Sequence, residues 1–227
     1  MEFPEGFNQL ELLETHGHVI PVGTDSAWDE DGDNDHDEDD DDDDDEGQHS
    51  EEWYQEQELR RRDSPAELML WAAEKNRLCT VERLTASDPS LVNCRDDDGY
   101  TPLHRASYSG HALVVSFLLD SGADFRARTV DGWTPLHSAS RWGHTHIASC
   151  LLRRGSEVNA TTNGQLTALQ LAAGNPGAPH MLELLLSQRT LQAGLRNSGG
   201  ETAYDIALRK SAHHGLFEIT EPCNNVY

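Results

Sequence analysis

Residues 131–144 read DGWTPLHSASRWGH, and residues 98–111 read DGYTPLHRASYSGH, the same unit 33 positions earlier. The register runs beyond these two copies. Thr101, Thr134 and Thr167 are 33 apart, and so are Ala73, Ala106, Ala139 and Ala172. Val81, Val114 and Ile147 keep step with them, as do Leu84, Phe117 and Cys150. One extra residue enters near GNPGAP (174–179) and another between 187 and 201, which moves the later matches to Met181 and Thr202. A fixed period of this size, with insertions confined to loops, specifies a stack of like units in place of a single globular core.

Each unit has a local physical reading. Asp-Gly before the Thr makes a turn in which Gly99 and Gly132 can take positive φ. Thr101 or Thr134 caps a short helix whose first residue is Pro. Leu103 with Ala106, and Leu136 with Ala139, face one side, and Gly110 or Gly143 ends the helix. A second helix follows in ALVVSFLLDSGAD and THIASCLLRRGSE, apolar at i, i+3 and i+4. Two such short helices cannot bury their apolar faces alone, but stacked units can. Upstream, EEWYQEQELRRR (51–62) reads as a short helix with Glu56–Arg60 and Glu58–Arg62 at i,i+4 spacing. The stretch Ser64-Pro65-Ala66-Glu67 reads as a helix start in which Ser64 caps and Glu67 completes a capping box.

Charge divides the chain. Residues 1–59 hold 24 of its 41 acids and no Lys or Arg, so the remainder balances 17 acids against 17 bases. Residues 29–46 contain 15 acids in 18 positions, a run that repels itself, buries nothing and is expected to be disordered. Asp31, Asp33 and Asp35 have the spacing that begins a calcium loop, but His36 stands where that loop needs Gly and Asp42 where it needs Glu, so no EF-hand is expected. An acidic balance disfavours phosphate-contact binding of nucleic acid. The N-terminus lacks a basic region and an uninterrupted apolar core, so a signal peptide is not expected, nor is a membrane span. Cys79, Cys94, Cys150 and Cys223 form no CxxC pair, and reduced thiols without a metal are expected. Phe7, Leu10, Leu13, Val19 and Ile20 make an apolar segment outside the repeats that reads as a short docking element.

TPLHxAxxxGH followed by VVxxLLxxGAD at a 33-residue period resembles the ankyrin repeat. The resemblance is specific in 98–130 and 131–163 and weaker in 65–97, which lacks TPLH, and in 164–198, where the motif becomes TALQ. It implies an all-α ankyrin-repeat solenoid of helix–turn–helix units joined by short β-turn loops. The expected organisation is an acidic N-terminal region (1–50), a short linker helix (51–63), four repeats (64–97, 98–130, 131–163, 164–198) and a terminal half-repeat with tail (199–227). Weaker outer units fit the role of caps that face water on one side.

In that pattern Thr101 with His104 and Thr134 with His137 hydrogen-bond within and between units, and His111 and His144 serve the turn before the second helix. No catalytic motif such as GxSxG, HExxH or GxxxxGK[ST] occurs. No enzymatic activity, cofactor or metal is expected. The family leaves free the residue after the turn Gly and the two before the helix-ending Gly, which line its concave face. Here those positions hold Tyr100, Tyr108, Ser109, Trp133, Arg141 and Trp142, residue types that dominate interfaces, and they read as one aromatic patch. Asn159, after LLRRGSEV, resembles the family's asparaginyl-hydroxylation site. The non-repeat segments FNQLELLETHGHVIP and EEWY, with LMLWAAEKNR and ETAYDIA, resemble one branch of the family. That resemblance implies a small nuclear protein that favours transcription; a monomer, present also in the cytoplasm, that binds transcription regulators or basic proteins is expected. The residue-based alternative is a chaperone of histones or other basic proteins, working through the acidic run.

Overall fold

The computed structural model describes residues 49–211 and 213–220; the acidic run 29–46 and the Phe7–Ile20 segment lie outside the described residues. Among these the fold is all-α. Ten α-helices follow one another: α1 (Glu51–Arg60), α2 (Pro65–Glu74), α3 (Leu78–Ser87), α4 (Pro102–Ser109), α5 (Ala112–Asp120), α6 (Pro135–Trp142), α7 (Thr145–Arg153), α8 (Ala168–Ala173), α9 (Pro179–Leu186) and α10 (Ala203–Lys210). Short 3-10 turns cover Pro89–Asn93 and His213–Thr220. Among the described residues, pairing of extended backbone is limited to one isolated bridge between Thr161 and Thr167.

The repeat motif builds each unit as its chemistry dictates. Thr101 accepts the N–H of His104 while Nδ1 of His104 accepts the N–H of Thr101, a reciprocal cap that fixes the start of α4. Thr134 with His137, Thr167 with Gln170 and Thr202 with Asp205 repeat it. Gly110 and Gly143 end α4 and α6 in the left-handed region, at φ 83° and 78°. Gly99 and Gly132 turn at φ 80° and 78°. Neighbouring turns are tied by Val130 N–H to the Asp98 carbonyl at 2.8 Å and Asn163 N–H to the Asp131 carbonyl at 2.9 Å.

Two layers result. α2, α4, α6, α8 and α10 form an inner row, and α3, α5, α7 and α9 an outer row. Inner helices meet across fully buried Ala72, Ala106, Ala139, Ala172 and Ala207, and lie closer together than the outer helices. A stack that is tighter on one side curves toward that side. Leu103, Val114, Leu118, Leu136, Ile147, Leu151, Leu169, Met181 and Leu185 continue the core from unit to unit without a break.

The first helices depart from the sequence expectation. Ser64 makes no side-chain cap; Glu67 turns instead toward Arg61, 3.5 Å away, and Pro65 alone marks the helix start. Glu56 pairs with Arg60 at 3.0 Å as its spacing predicts. Glu58 does not pair with Arg62. It accepts from Thr80 at 2.6 Å and from Arg77 at 3.3 Å, because folding α1 against α2 and α3 supplies a half-buried partner set that an exposed i,i+4 neighbour cannot match.

Candidate functional site

The two Thr–His pairs are built for structure. The Thr101 N–H donates to His104 Nδ1 at 3.2 Å, so the ring proton sits on Nε2, which donates to the carbonyl of Trp133 at 3.1 Å in the next unit. His137 repeats this, accepting from the Thr134 N–H at 3.1 Å and donating to the carbonyls of Ala160 and Leu166 at 3.0 and 3.2 Å. Both rings are fully buried, and burial pushes each imidazole down to about 4. Neutral rings with both nitrogens committed are interlocks between units. Gln170 does the same work with its carboxamide, and Asp205 closes the series: its carboxylate accepts from Thr202 but has no proton to hand onward.

The six candidate contact residues fall into two groups. At the C-terminal ends of α4 and α6, Tyr108 and Trp142 meet edge to face with ring centroids 5.0 Å apart, and both are exposed, at 40% and 42%. The Arg141 guanidinium lies over the Trp142 ring at 5.9 Å, and half-buried Ser109 follows Tyr108. At the N-terminal ends of the same helices sit Tyr100 and Trp133, both half-buried. Arg105 lies 4.9 Å over the Tyr100 ring, held there by Asp96 at 2.7 Å and Glu74 at 3.3 Å, while Trp133 rests against His137. An eight-residue helix, about 12 Å long, separates the two groups. The structure thus splits the expected single patch into an exposed aromatic pair and two rings packed at the turns.

His144, which sequence reading left as a turn former, and Asn175 hold the exposed pair in place. His144 Nε2 reaches back 2.9 Å to the carbonyl of Tyr108, Asn175 donates to the carbonyl of Arg141 at 3.1 Å, and His111 Nε2 lies 2.7 Å from the carbonyl of Glu74. The backbone under Tyr108 and Arg141 is therefore fixed from the following unit. The recurrence of Gly-His at 110–111 and 143–144 was the available signal.

Asn159 also has a structural duty. Its Nδ2 donates to the Thr190 carbonyl at 2.7 Å and its Oδ1 accepts from the Gln192 N–H at 2.8 Å. Among the described residues no group of three or more His, Cys, Asp or Glu side chains could hold a metal ion, and no helix is long and apolar enough to cross a membrane.

With this geometry in place, comparison with known proteins gives a consistent result. The family model for ankyrin repeats, in three copies, matches residues 68–162. A protein of Bos taurus, ankyrin repeat domain-containing protein 49, is 57% identical over 99% of this chain and 91% of its own length. The Homo sapiens protein of that name is 56% identical over the same shares. The chain belongs to the family of ankyrin repeat domain-containing protein 49. A Drosophila melanogaster member is 40% identical over 57 residues, 25% of this chain. Within the family's fold, the Tyr108–Trp142 pair lies on the inner row of helices, and a protein partner is the ligand class that ankyrin repeats imply.

Proposed function

We propose that the chain is a non-enzymatic adaptor that binds a protein partner on the concave face of its stack, through Tyr108 and Trp142 with Arg141 and Ser109. One observation carries this reading: two large aromatic rings from adjacent units are locked edge to face while staying about two-fifths exposed. Anchored aromatics offer contact area at small entropic cost. Tyr100 and Trp133 contribute at the rim from their turn positions. Family resemblance supports a setting in the nucleus, with some protein in the cytoplasm, and a role in favouring transcription. Asn159 is a candidate for hydroxylation, and the absence of an added oxygen there in peptide mass mapping removes it.

The test is proximity labelling in cells with the full chain and with the Tyr108→Ala, Trp142→Ala double variant. The labelled set should collapse in the variant while its melting temperature stays within a few degrees of wild type. An unchanged set defeats the reading. The acidic run, 15 acids in 18 residues, supports a second reading as a chaperone of basic proteins. Deleting residues 29–46 separates the two, since the chaperone loses its partners and the concave-face adaptor keeps them.

A further inference from the structure

Asn163-Gly164, in the turn before α8, is the only Asn-Gly in the sequence, and both residues are exposed. Asn163 ties this turn to the one before it. Its N–H donates to the Asp131 carbonyl at 2.9 Å and its Nδ2 to the Val130 carbonyl at 2.8 Å, while its Oδ1 accepts no hydrogen bond among the described residues. Other asparagines are held at both ends of the side chain. Asn93, Asn159, Asn175 and Asn197 each have oxygen and nitrogen bonded, and they precede Cys, Ala, Pro and Ser.

Gly164 adds a nitrogen that nothing engages. Its N–H makes no hydrogen bond among the described residues, although its carbonyl accepts from the Ser198 N–H at 3.2 Å. No side chain on Gly164 shields that nitrogen from the neighbouring carboxamide. The Asp-Gly turns of the two preceding units differ: Gly99 and Gly132 commit their N–H groups to the carbonyls of Asp96 and Thr129 at 3.0 and 2.9 Å. Here the corresponding turn bond comes one residue later, from the Gln165 N–H to the Thr162 carbonyl at 2.9 Å.

We infer that Asn163 is a modification site: it loses its side-chain amide spontaneously, through attack by the Gly164 nitrogen, and the loss unties the turns of the third and fourth units. Base removes the Gly164 amide proton and the nitrogen bonds to Cγ of Asn163. The Cγ–Nδ2 bond breaks as Nδ2 takes up a proton and leaves as ammonia. Water then opens the cyclic imide. Breaking the new bond to Cγ leaves Asp in an ordinary backbone. Breaking the original peptide bond leaves the backbone running through the side chain. Neither route needs an enzyme or a redox partner. The fold acts as a brake, because the carboxamide must first release the Val130 carbonyl.

Both products weaken the tie. In the Asp product a carboxylate faces the Val130 carbonyl, acceptor against acceptor. In the other, an extra backbone carbon lengthens the turn that Gln165 closes onto Thr162. Each also adds a negative charge beside exposed Asp131, so the turn edge becomes more acidic and more attractive to a basic partner. Because each unit contacts only its neighbours, the loss is felt at the junction of units three and four.

The experiment holds the full chain for several weeks at neutral and at mildly alkaline pH and maps its peptides by mass. Methyl transfer from S-adenosylmethionine by an isoaspartyl methyltransferase reports the lengthened backbone. Asn163 should convert ahead of Asn76, Asn93, Asn159, Asn175 and Asn197, and faster at the higher pH, because the attacking amide must lose its proton. Gly164→Ala should slow the conversion at least tenfold. The fold accepts that change, since Gly164 is not left-handed and its Cβ would meet only the Thr162 hydroxyl, 3.8 Å away; melting curves check it. Asn163→Asp copies one product, and in it backbone hydrogen exchange at 130–133 and 162–166 should quicken at least tenfold. Conversion led by another of these asparagines, a rate unchanged in Gly164→Ala, or no conversion at all overturns the site. Unchanged exchange in Asn163→Asp overturns the untying.

Discussion

His104 hands its single ring proton across a unit boundary, from Nε2 to the carbonyl oxygen of Trp133, 3.1 Å away. His137 does the same one unit later. A ring serving this role must be neutral, and burial holds both at about 4, below the ordinary histidine value near 6.5. The unfolded chain therefore binds protons that the folded chain refuses. Stability is complete above about pH 6.5 and is lost as pH falls toward 4, by up to about 3 kcal/mol per ring. Melting temperature measured from pH 7.5 to 4.5 should fall through this window. A His104→Gln, His137→Gln variant should show a flatter profile than wild type.

Gln170 shows why that exchange is tolerable. Its Oε1 accepts the Thr167 N–H at 2.9 Å, and its Nε2 donates to the Leu195 and Glu201 carbonyls at 2.9 and 3.0 Å. One carboxamide thus reproduces the acceptor and the donor of the imidazole. His137→Gln should cost about 1 kcal/mol or less in urea unfolding at pH 7.5. His137→Leu strands the Thr134 N–H and two carbonyls and should cost about 3 kcal/mol.

Gly110 and Gly122 separate two effects that glycine combines. Both have positive φ, 83° and 89°. A Cβ on Gly122 meets nothing within 4 Å, whereas one on Gly110 falls 2.6 Å from the His144 imidazole. Gly122→Ala should cost only the left-handed backbone penalty, about 1 kcal/mol. Gly110→Ala should cost at least twice that in the same urea titration, because His144 must also give up the carbonyl of Tyr108.

What could be read in the sequence was local. The Thr caps, the turn glycines and the helix-ending glycines recur every 33 residues and depend on neighbours within a few positions, so their chemistry is visible in one unit. The failures are choices among distant partners. Glu58 has Arg62 at helical spacing, yet it bonds Arg77 and Thr80, 19 and 22 residues on, because they stand in a half-buried niche. The grouping of the aromatic residues into one patch was misjudged in the same way. Tyr100 and Tyr108 lie in one motif, but a helix intervenes, and only the fold shows that Tyr108 has Trp142 for a neighbour while Tyr100 has Arg105.

That division predicts different costs for the two tryptophans. Trp142 is exposed and closes no core, so Trp142→Ala should lower stability by about 1 kcal/mol or less. Trp133 is half-buried against His137, and Trp133→Ala should cost about 2–3 kcal/mol. Equal losses for the two in denaturant unfolding would place Trp142 among the structural residues.

Helix α1 tests how a helix with no buried residue stays docked. Arg77 grips it from the following units: two nitrogens meet the two oxygens of Glu51 at 2.8 and 2.5 Å, Nε meets Glu58 at 3.3 Å, and the guanidinium lies 5.0 Å over the Tyr54 ring. Half-buried Trp53 and Tyr54 add contacts with Trp71, at 6.4 and 6.2 Å between ring centroids. Glu51 is exposed, so its pair with Arg77 is screened by salt, while the half-buried Glu58 pair is screened less and the ring contacts alone are few. Arg77→Gln should release α1 while leaving α4 to α10 folded. Limited trypsin digestion reads this directly, because Arg60 ends the helix and Arg61 and Arg62 follow it. Cleavage there should quicken at least tenfold in Arg77→Gln. It should quicken in the wild-type chain as salt rises to about 1 M, where the screening length shortens to about 3 Å. Equal cleavage rates in variant and wild type would mean that the aromatic contacts, and not Arg77, hold the helix.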